Sequence, residues 1–263
     1  MTDERLFDLD DYKPAQIARH VETAGKAKAE LALLPLMVLA VLAGFYIALG
    51  AALYTLVGTG SPLGFGPTRL LGGAAFSLGL VLVVVGGAEL FTGNNLVVMA
   101  RVERHISTAA LLRNWGVSLL GNAGGALLAV VLVHAAGTLA IGGMEATAAD
   151  IARAKLALDP VEAFARGILC NALVCLAVWL SFAARHVTGK ILAILFPITA
   201  FVALGFEHSV ANFYLIPVGL LAGAEGTLGD VFGNLVPVTL GNIVGGAGGV
   251  ALVYWAVYLR HRG

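Results

Sequence analysis

Apolar residues gather into six long runs, at 31–57, 70–100, 111–136, 160–183, 191–222 and 234–258. A helix needs about 20 apolar residues to cross a bilayer core. Four of the runs have ordinary length for one crossing. The second and fifth cover 31 and 32 residues, too many for one upright helix. Each is interrupted by polar residues, "GGAELFTGNN" at 86–95 and "GFEHSVAN" at 205–212. The pattern predicts an all-α integral membrane protein with six transmembrane helices, of which helices 2 and 5 are broken. In hydrocarbon an unsatisfied backbone group is costly, so such breaks survive only where protein or a cavity covers them.

The runs also resemble one another. The third reads "NWGVSLLGNAGGALLAVVLV" from Asn114 and the sixth "NLVPVTLGNIVGGAGGVALV" from Asn234. Asn114/Asn234, Gly121/Gly241, Asn122/Asn242 and Gly125/Gly245 match at an offset of 120. The second and fifth runs match at 118, where Glu89 falls on Glu207. We expect a channel domain at 31–258 made of two three-span units, repeat one at 31–136 and repeat two at 160–258. Three is odd, so the second unit enters the membrane upside down. Such 3+3 inverted repeats place their site near the midplane, at the interrupted helices.

Short flanking segments set the orientation. Lys13, Arg19, Lys26, Lys28, Arg101, Arg104, Arg185, Lys190, Arg260 and Arg262 fall on one side, against Arg69, Arg153, Lys155 and Arg166 on the other. Basic residues favour the cytoplasm, so both termini are expected there, in a cell (inner) membrane. Residues 1–30 form a cytoplasmic N-terminal segment, and 259–263 a short tail. Within the former, Ile17, Ala18, Val21 and Ala24 make a partial helical stripe. This helix either lies along the membrane surface or extends span 1. The start, "MTDERLFDLDDYKP", is acidic and lacks the regions of a cleaved leader, so insertion is expected to come from the spans.

Composition agrees with a bilayer as solvent. The chain has 263 residues, 59% of them hydrophobic and 12% charged, with mean hydropathy +0.90; soluble domains carry about 25% charge. Net charge is zero, which gives no basic field for nucleic acid. Cys170 and Cys175 lie five apart in one apolar run and read as small buried hydrophobes. Metal spacings, nucleophile elbows and phosphate-binding loops are absent from the sequence, so neither a metal, a cofactor nor an enzyme activity is expected.

The breaks hold the candidate chemistry. His208 sits mid-span, where an ionisable group is expensive and usually functional, and it titrates close to neutral pH. The helix that restarts near Val210 points its N-terminus, with free N–H groups, at the same place. Glu89 and Glu207 read as structural groups that accept donors at the breaks. Thr92 is placed on the ligand side and Asn94 on the structural side. Asn171 and Asn212 serve equally as ligand groups or as ties between helices. The "GN" pairs at 121–122 and 241–242 read as packing. From the residues alone, Lys155 in "ARAKLALDP" reads as a solvated loop charge.

These stretches resemble the formate/nitrite transporter family. "GGAELFTGN" (86–94) is similar to its signature at the span 2 break, "KLALDPVEAFARGILCNALVCLAVW" (155–179) to its span 4 region, "GFEHSVANFYLIP" (205–217) to its span 5 break, and "PVTLGNIVGGA" (237–247) to its last span. The resemblance implies an aquaporin-like six-helix protomer with its own pore, a homopentamer in the lipid bilayer, and small monovalent anions as substrates. It implies His208 as the central histidine, Thr92 as its partner and Lys155 as a vestibule lysine. Asn171 and Asn212 become polar pore lining. Phe76, Leu80, Leu90, Phe91, Val174 and Phe201 become the apolar constrictions. Asp159–Pro160 departs from the formate-channel pattern.

The expectation is a channel for formate first and nitrite second, with hydrosulfide as an alternative. The anion either takes a proton near His208, directly or through water, and crosses as the neutral acid, or passes as an ion with His208 only as a hydrogen-bond donor. Two readings of other classes stand beside it: an aquaporin-like pore for neutral solutes, and an intramembrane enzyme using Glu207 and His208.

Overall fold

A computed structural model describes residues 12–260. The acidic start before Tyr12 and the tail beyond Arg260, with Arg262, lie outside the described residues. Among those residues the secondary structure is helical. The helices are α1 (Pro14–Glu30), α2 (Leu33–Gly58), α3 (Phe65–Gly86), α4 (Val98–Val102), α5 (Thr108–Ala135), α6 (Met144–Leu156), α7 (Pro160–Ala183), α8 (Val187–Ala203), α9 (Ser209–Leu221), α10 (Leu228–Ile243) and α11 (Val253–Tyr258). A π-helical stretch, Val244–Leu252, joins α10 to α11. Five helical segments are long and apolar enough to cross a membrane: α2, α3, α5, α7 and the continuous stretch Leu228–Tyr258. The fifth run is divided between α8 and α9, of 17 and 13 residues.

Both breaks fall where the polar insertions predicted them, and glycine explains how. Gly87 ends α3 with φ +82, and Gly205 follows α8 with φ +74, a left-handed conformation that side chains disfavour. In each case the next amide reaches back five residues, Ala88 N to Val83 O (2.9 Å) and Phe206 N to Phe201 O (3.0 Å). The chain then leaves regular structure before turning helical again, as a short 3-10 turn from Gly93 on one side and as α9, capped by an extended His208, on the other.

Helix contacts follow a matching scheme. α2 packs against α3 and α5, α7 packs against α8 and α10, and α3 meets α8 at the centre. Glycine permits the closest approaches. A Cβ on Gly125 would lie 1.9 Å from Val41 O, and one on Gly245 2.0 Å from Ile168 O. Gly121 and Gly241 sit one turn earlier, against Ala40 and Phe164. The packing role read for the glycines of the "GN" pairs therefore holds, since any side chain would separate these helices.

Three expectations need correction. The helices around the second, fifth and sixth runs begin earlier than the apolar pattern, at Phe65, Val187 and Leu228. The segment before span 4, read as a loop, contains α6, which buries Met144, Ala148, Ala149 and Ala152. Finally, α1 does not extend α2. It stops at Glu30 and buries Ile17, Ala18, Val21, Gly25 and Ala29 against the 3-10 turn, α4, α5, α7 and α11.

Candidate functional site

Two hydrogen-bonded clusters hold the breaks open, and they have the same design. At the first, Lys28 Nζ donates to Glu89 Oε1 (2.6 Å), and Asn94 Nδ2 donates to Glu89 Oε2 (2.7 Å) and Asn114 Oδ1 (3.1 Å). Asn114 in turn donates to Lys28 O (3.1 Å). At the second, Lys155 Nζ donates to Glu207 Oε1 (2.8 Å), and Asn212 Nδ2 donates to Glu207 Oε2 (2.7 Å) and Asn234 Oδ1 (2.8 Å). Asn234 closes this ring on Lys155 O (3.0 Å). Each carboxylate is nearly buried and meets a cation and an amide, which offsets the cost of desolvating it.

Asn122 and Asn242 complete the clamps. Asn122 Oδ1 accepts from Phe91 N (2.8 Å), and its Nδ2 donates to Ala40 O (2.7 Å) and Glu89 O (2.9 Å). Asn242 Oδ1 accepts from Ser209 N (3.0 Å), and its Nδ2 donates to Gly167 O (2.8 Å) and Glu207 O (2.9 Å). These two side chains satisfy backbone groups that the breaks expose. Sequence reading assigned them to packing and missed this role.

Lys155 also needs correction as read from the residues alone. It is no solvated loop charge: it lies in the last turn of α6, and only 13% of its side chain is exposed. Asp159, the departure from the resembled pattern, accepts from Val161 N (2.8 Å) and caps α7, with Pro160 at the first helical position.

His208 lies at the second break. As the N-cap of α9, its Nδ1 accepts from Ala211 N (3.0 Å). The ring proton of the neutral imidazole is therefore on Nε2, which stands 2.9 Å from Thr92 Oγ1 at the other break. A threonine hydroxyl that accepts this proton keeps its own hydrogen to donate. Cys175 Sγ and Asn171 Nδ2 both donate to Thr92 O, at 3.3 and 3.2 Å. Asn171 Nδ2 also lies 3.0 Å from Asn95 Oδ1 and 2.6 Å from Asn242 O. The amides of Asn171 and Asn212 are thus committed to protein acceptors. Both cysteines are buried and free, as expected.

Two cavities approach this pair: one reaches His208, the other ends at Leu90 and Gly93, and the buried Thr92 lines neither. The wider, about 820 Å³, is lined by Lys28, Glu89, Asn94, Leu80, Leu90 and the α1 face around His20. The narrower, about 160 Å³, is lined by Lys155, Glu207, His208, Phe76, Phe201 and Arg69. Phe76 and Phe201 meet edge to face at 5.5 Å, and Phe201 stacks on His208 at 5.9 Å. Of the apolar residues expected at constrictions, Phe76 and Phe201 face the narrow cavity and Leu80 and Leu90 the wide one. Phe91 and Val174 lie in the core between helices, Phe91 against Trp115. Asn171 and Asn212 line neither cavity. No grouping of His, Cys, Asp and Glu among the described residues suits a metal ion.

Comparison with known proteins gives this arrangement a family. The Formate/nitrite transporter family profile matches residues 15–256. The chain is 41% identical to a probable formate transporter of Methanothermobacter thermautotrophicus, over 94% of this chain and 97% of that one. It is 38% identical to the formate channel FocA of Escherichia coli strain K12, over 100% and 99% of the two chains. A solved pentameric formate channel with formate bound superimposes with a TM-score of 0.77 at 36% identity, over 87% of this chain and 98% of that one. The membrane-crossing helices of this chain accord with these matches. The chain is a multi-pass membrane protein that belongs to the formate/nitrite transporter family, whose members are channels and transporters and not enzymes.

Proposed function

We propose that each protomer conducts small monovalent anions, formate first and nitrite second, along a path from one cavity to the other past His208 and Thr92. The observation that carries this reading is the His208–Thr92 contact, 2.9 Å long, with the narrow cavity against His208 and apolar side chains on both approaches. Lys155, paired with Glu207, lines the narrow approach, and His208 Nε2–H and the Thr92 hydroxyl offer the anion hydrogen bonds. Phe76 and Phe201 on one side, and Leu80 and Leu90 on the other, oppose a bare charge because desolvating it is expensive. The weak acid therefore crosses in its neutral form.

The cap on His208 bears on where the proton comes from. A second proton on the ring would occupy Nδ1 and break the bond from Ala211 N. This favours His208 as a hydrogen-bond donor that orients the anion while water supplies the proton. Glu89 and Glu207 serve the breaks, and Asn171 and Asn212 tie helices together.

The doubled Lys–Glu–Asn–Asn clusters support a six-span, 3+3 inverted repeat whose copies begin upstream of residues 31 and 160, at Lys28 and Lys155. The solved pentamer supports a homopentamer here; the distribution of lysine and arginine supports an inner membrane with both termini cytoplasmic. Liposomes carrying the purified protein test the function. Formate, nitrite and hydrosulfide gradients are imposed at two pH values, and internal pH is followed. Formate-driven proton movement above that of empty vesicles is expected; flux of glycerol without any anion flux would overturn the reading.

A further inference from the structure

The narrow cavity has a feature with no counterpart in the Lys–Glu clusters. Arg69 enters it from α3 and binds the end of α8, with Nε on Ala203 O (3.0 Å) and Nη2 on Val202 O (2.8 Å). Its Nη1 donates to the Tyr54 hydroxyl (2.9 Å). Arg166 reaches the same place from α7 and donates to Gly205 O (3.1 Å). A Cβ on Gly205 would lie 3.0 Å from Arg69 Nη2 and 3.5 Å from Arg166 Nη1. The glycine thus lets two guanidinium groups converge on one stretch of backbone.

Charge separates the three cations that line this cavity. Lys155 faces Glu207 and Arg166 faces Glu162. Arg69 is held by two carbonyls and a hydroxyl, and among the described residues no carboxylate pairs with it. Three of its five N–H donors are used in these bonds. Tyr54 accepts from Arg69, so its own O–H remains available. The cavity's uncompensated positive charge therefore sits beside two spare guanidinium donors and one spare hydroxyl.

The geometry points to Arg69 and Tyr54 as an outer anion-binding site, occupied before the anion reaches Phe76 and Phe201. A planar guanidinium suits an anion with two oxygens, which it binds in a forked manner; a lysine acts only as a point charge. The site therefore favours carboxylates and nitrite over hydrosulfide. It rests on the anion-transport reading above and names the substrate class for one face.

The test uses the full-length protein in liposomes, with formate or hydrosulfide applied to each face in turn. Arg69→Gln keeps an amide for the α8 carbonyls and removes the charge. The half-saturating formate concentration on the Arg69 face should rise about tenfold, the effect of losing a charge-assisted hydrogen bond. On the opposite face it should stay unchanged. Arg69→Lys should restore hydrosulfide uptake from the Arg69 face more fully than formate uptake. Tyr54→Phe leaves the arginine and its carbonyl bonds in place and should raise the same formate value about threefold. Equal changes on both faces, or for both anions, would reduce Arg69 to a cap on α8 and overturn the site. Normal formate saturation in both Arg69→Gln and Tyr54→Phe would do the same. Absence of anion flux in the unaltered protein would instead overturn the transport reading and the site with it.

Discussion

The two helix breaks share a frame and differ in their lining. In both, lysine and asparagine hold a glutamate, a second asparagine closes the ring, and a third clamps the backbone. At the sequence offset of 118, Leu90, Phe91 and Thr92 of the first break fall on His208, Ser209 and Val210 of the second. The first break supplies a hydroxyl where the second has a valine, and the second supplies an imidazole where the first has a leucine. The His208–Thr92 pair thus takes one polar residue from each break. Where the frames agree, they make an interrupted helix tolerable in a membrane. Where they diverge, they place the chemistry.

Burial of the frame predicts the largest effect. Lys155→Met leaves Glu207 charged and buried, and should lower stability by about 3–5 kcal/mol. Lys28→Met should cost less, about 1 kcal/mol, because the Lys28 side chain is 31% exposed against 13% for Lys155. Thermal unfolding of the detergent-purified protein compares the two, and equal losses would break the link to burial.

Substituting His208→Leu gives the second break the residue of the first. Anion flux should fall about a hundredfold, as for loss of a central donor, while the folded protein persists with a cap loss of about 1 kcal/mol. Size-exclusion profiles and liposome flux separate these outcomes. Asn122→Ala and Asn242→Ala should each destabilise the protein by about 1–3 kcal/mol, with similar values if the clamps are equivalent. Denaturation midpoints measure this directly. Thr92→Val, which copies Val210, should have the smallest consequence, a fall in flux of about tenfold without loss of stability. Normal flux in that variant would remove the hydroxyl from the path.

Much of the frame was legible in the sequence, because glutamates inside long apolar runs are conspicuous and recur at a fixed offset. The breaks, the match of Glu89 with Glu207, and His208 as the exceptional residue all followed from that. Asn122 and Asn242 were not legible as clamps. Beside glycine in an apolar helix they look like packing, and their partners lie more than thirty residues away. Lys28 left a fainter trace. Soon after it comes "LALLP" at 31–35, while Lys155 precedes "LALDP" at 156–160. The lysines are 127 apart and the glutamates 118, so a single offset hides their equivalence. α6 escaped notice because its buried face consists mainly of alanines, which carry a weak hydrophobic pattern.

The unequal cavities have a pharmacological consequence. Pockets for drug-sized molecules are about 300–1,000 Å³. The mouth on the α1 side, about 820 Å³, falls in that range, and the one beside Arg69, about 160 Å³, does not. A blocker larger than the transported ion can therefore reach Leu80 and Leu90 from the α1 side, but has no comparable seat on the other. Inhibition of this protein is expected to be one-sided, set by which compartment the compound can enter.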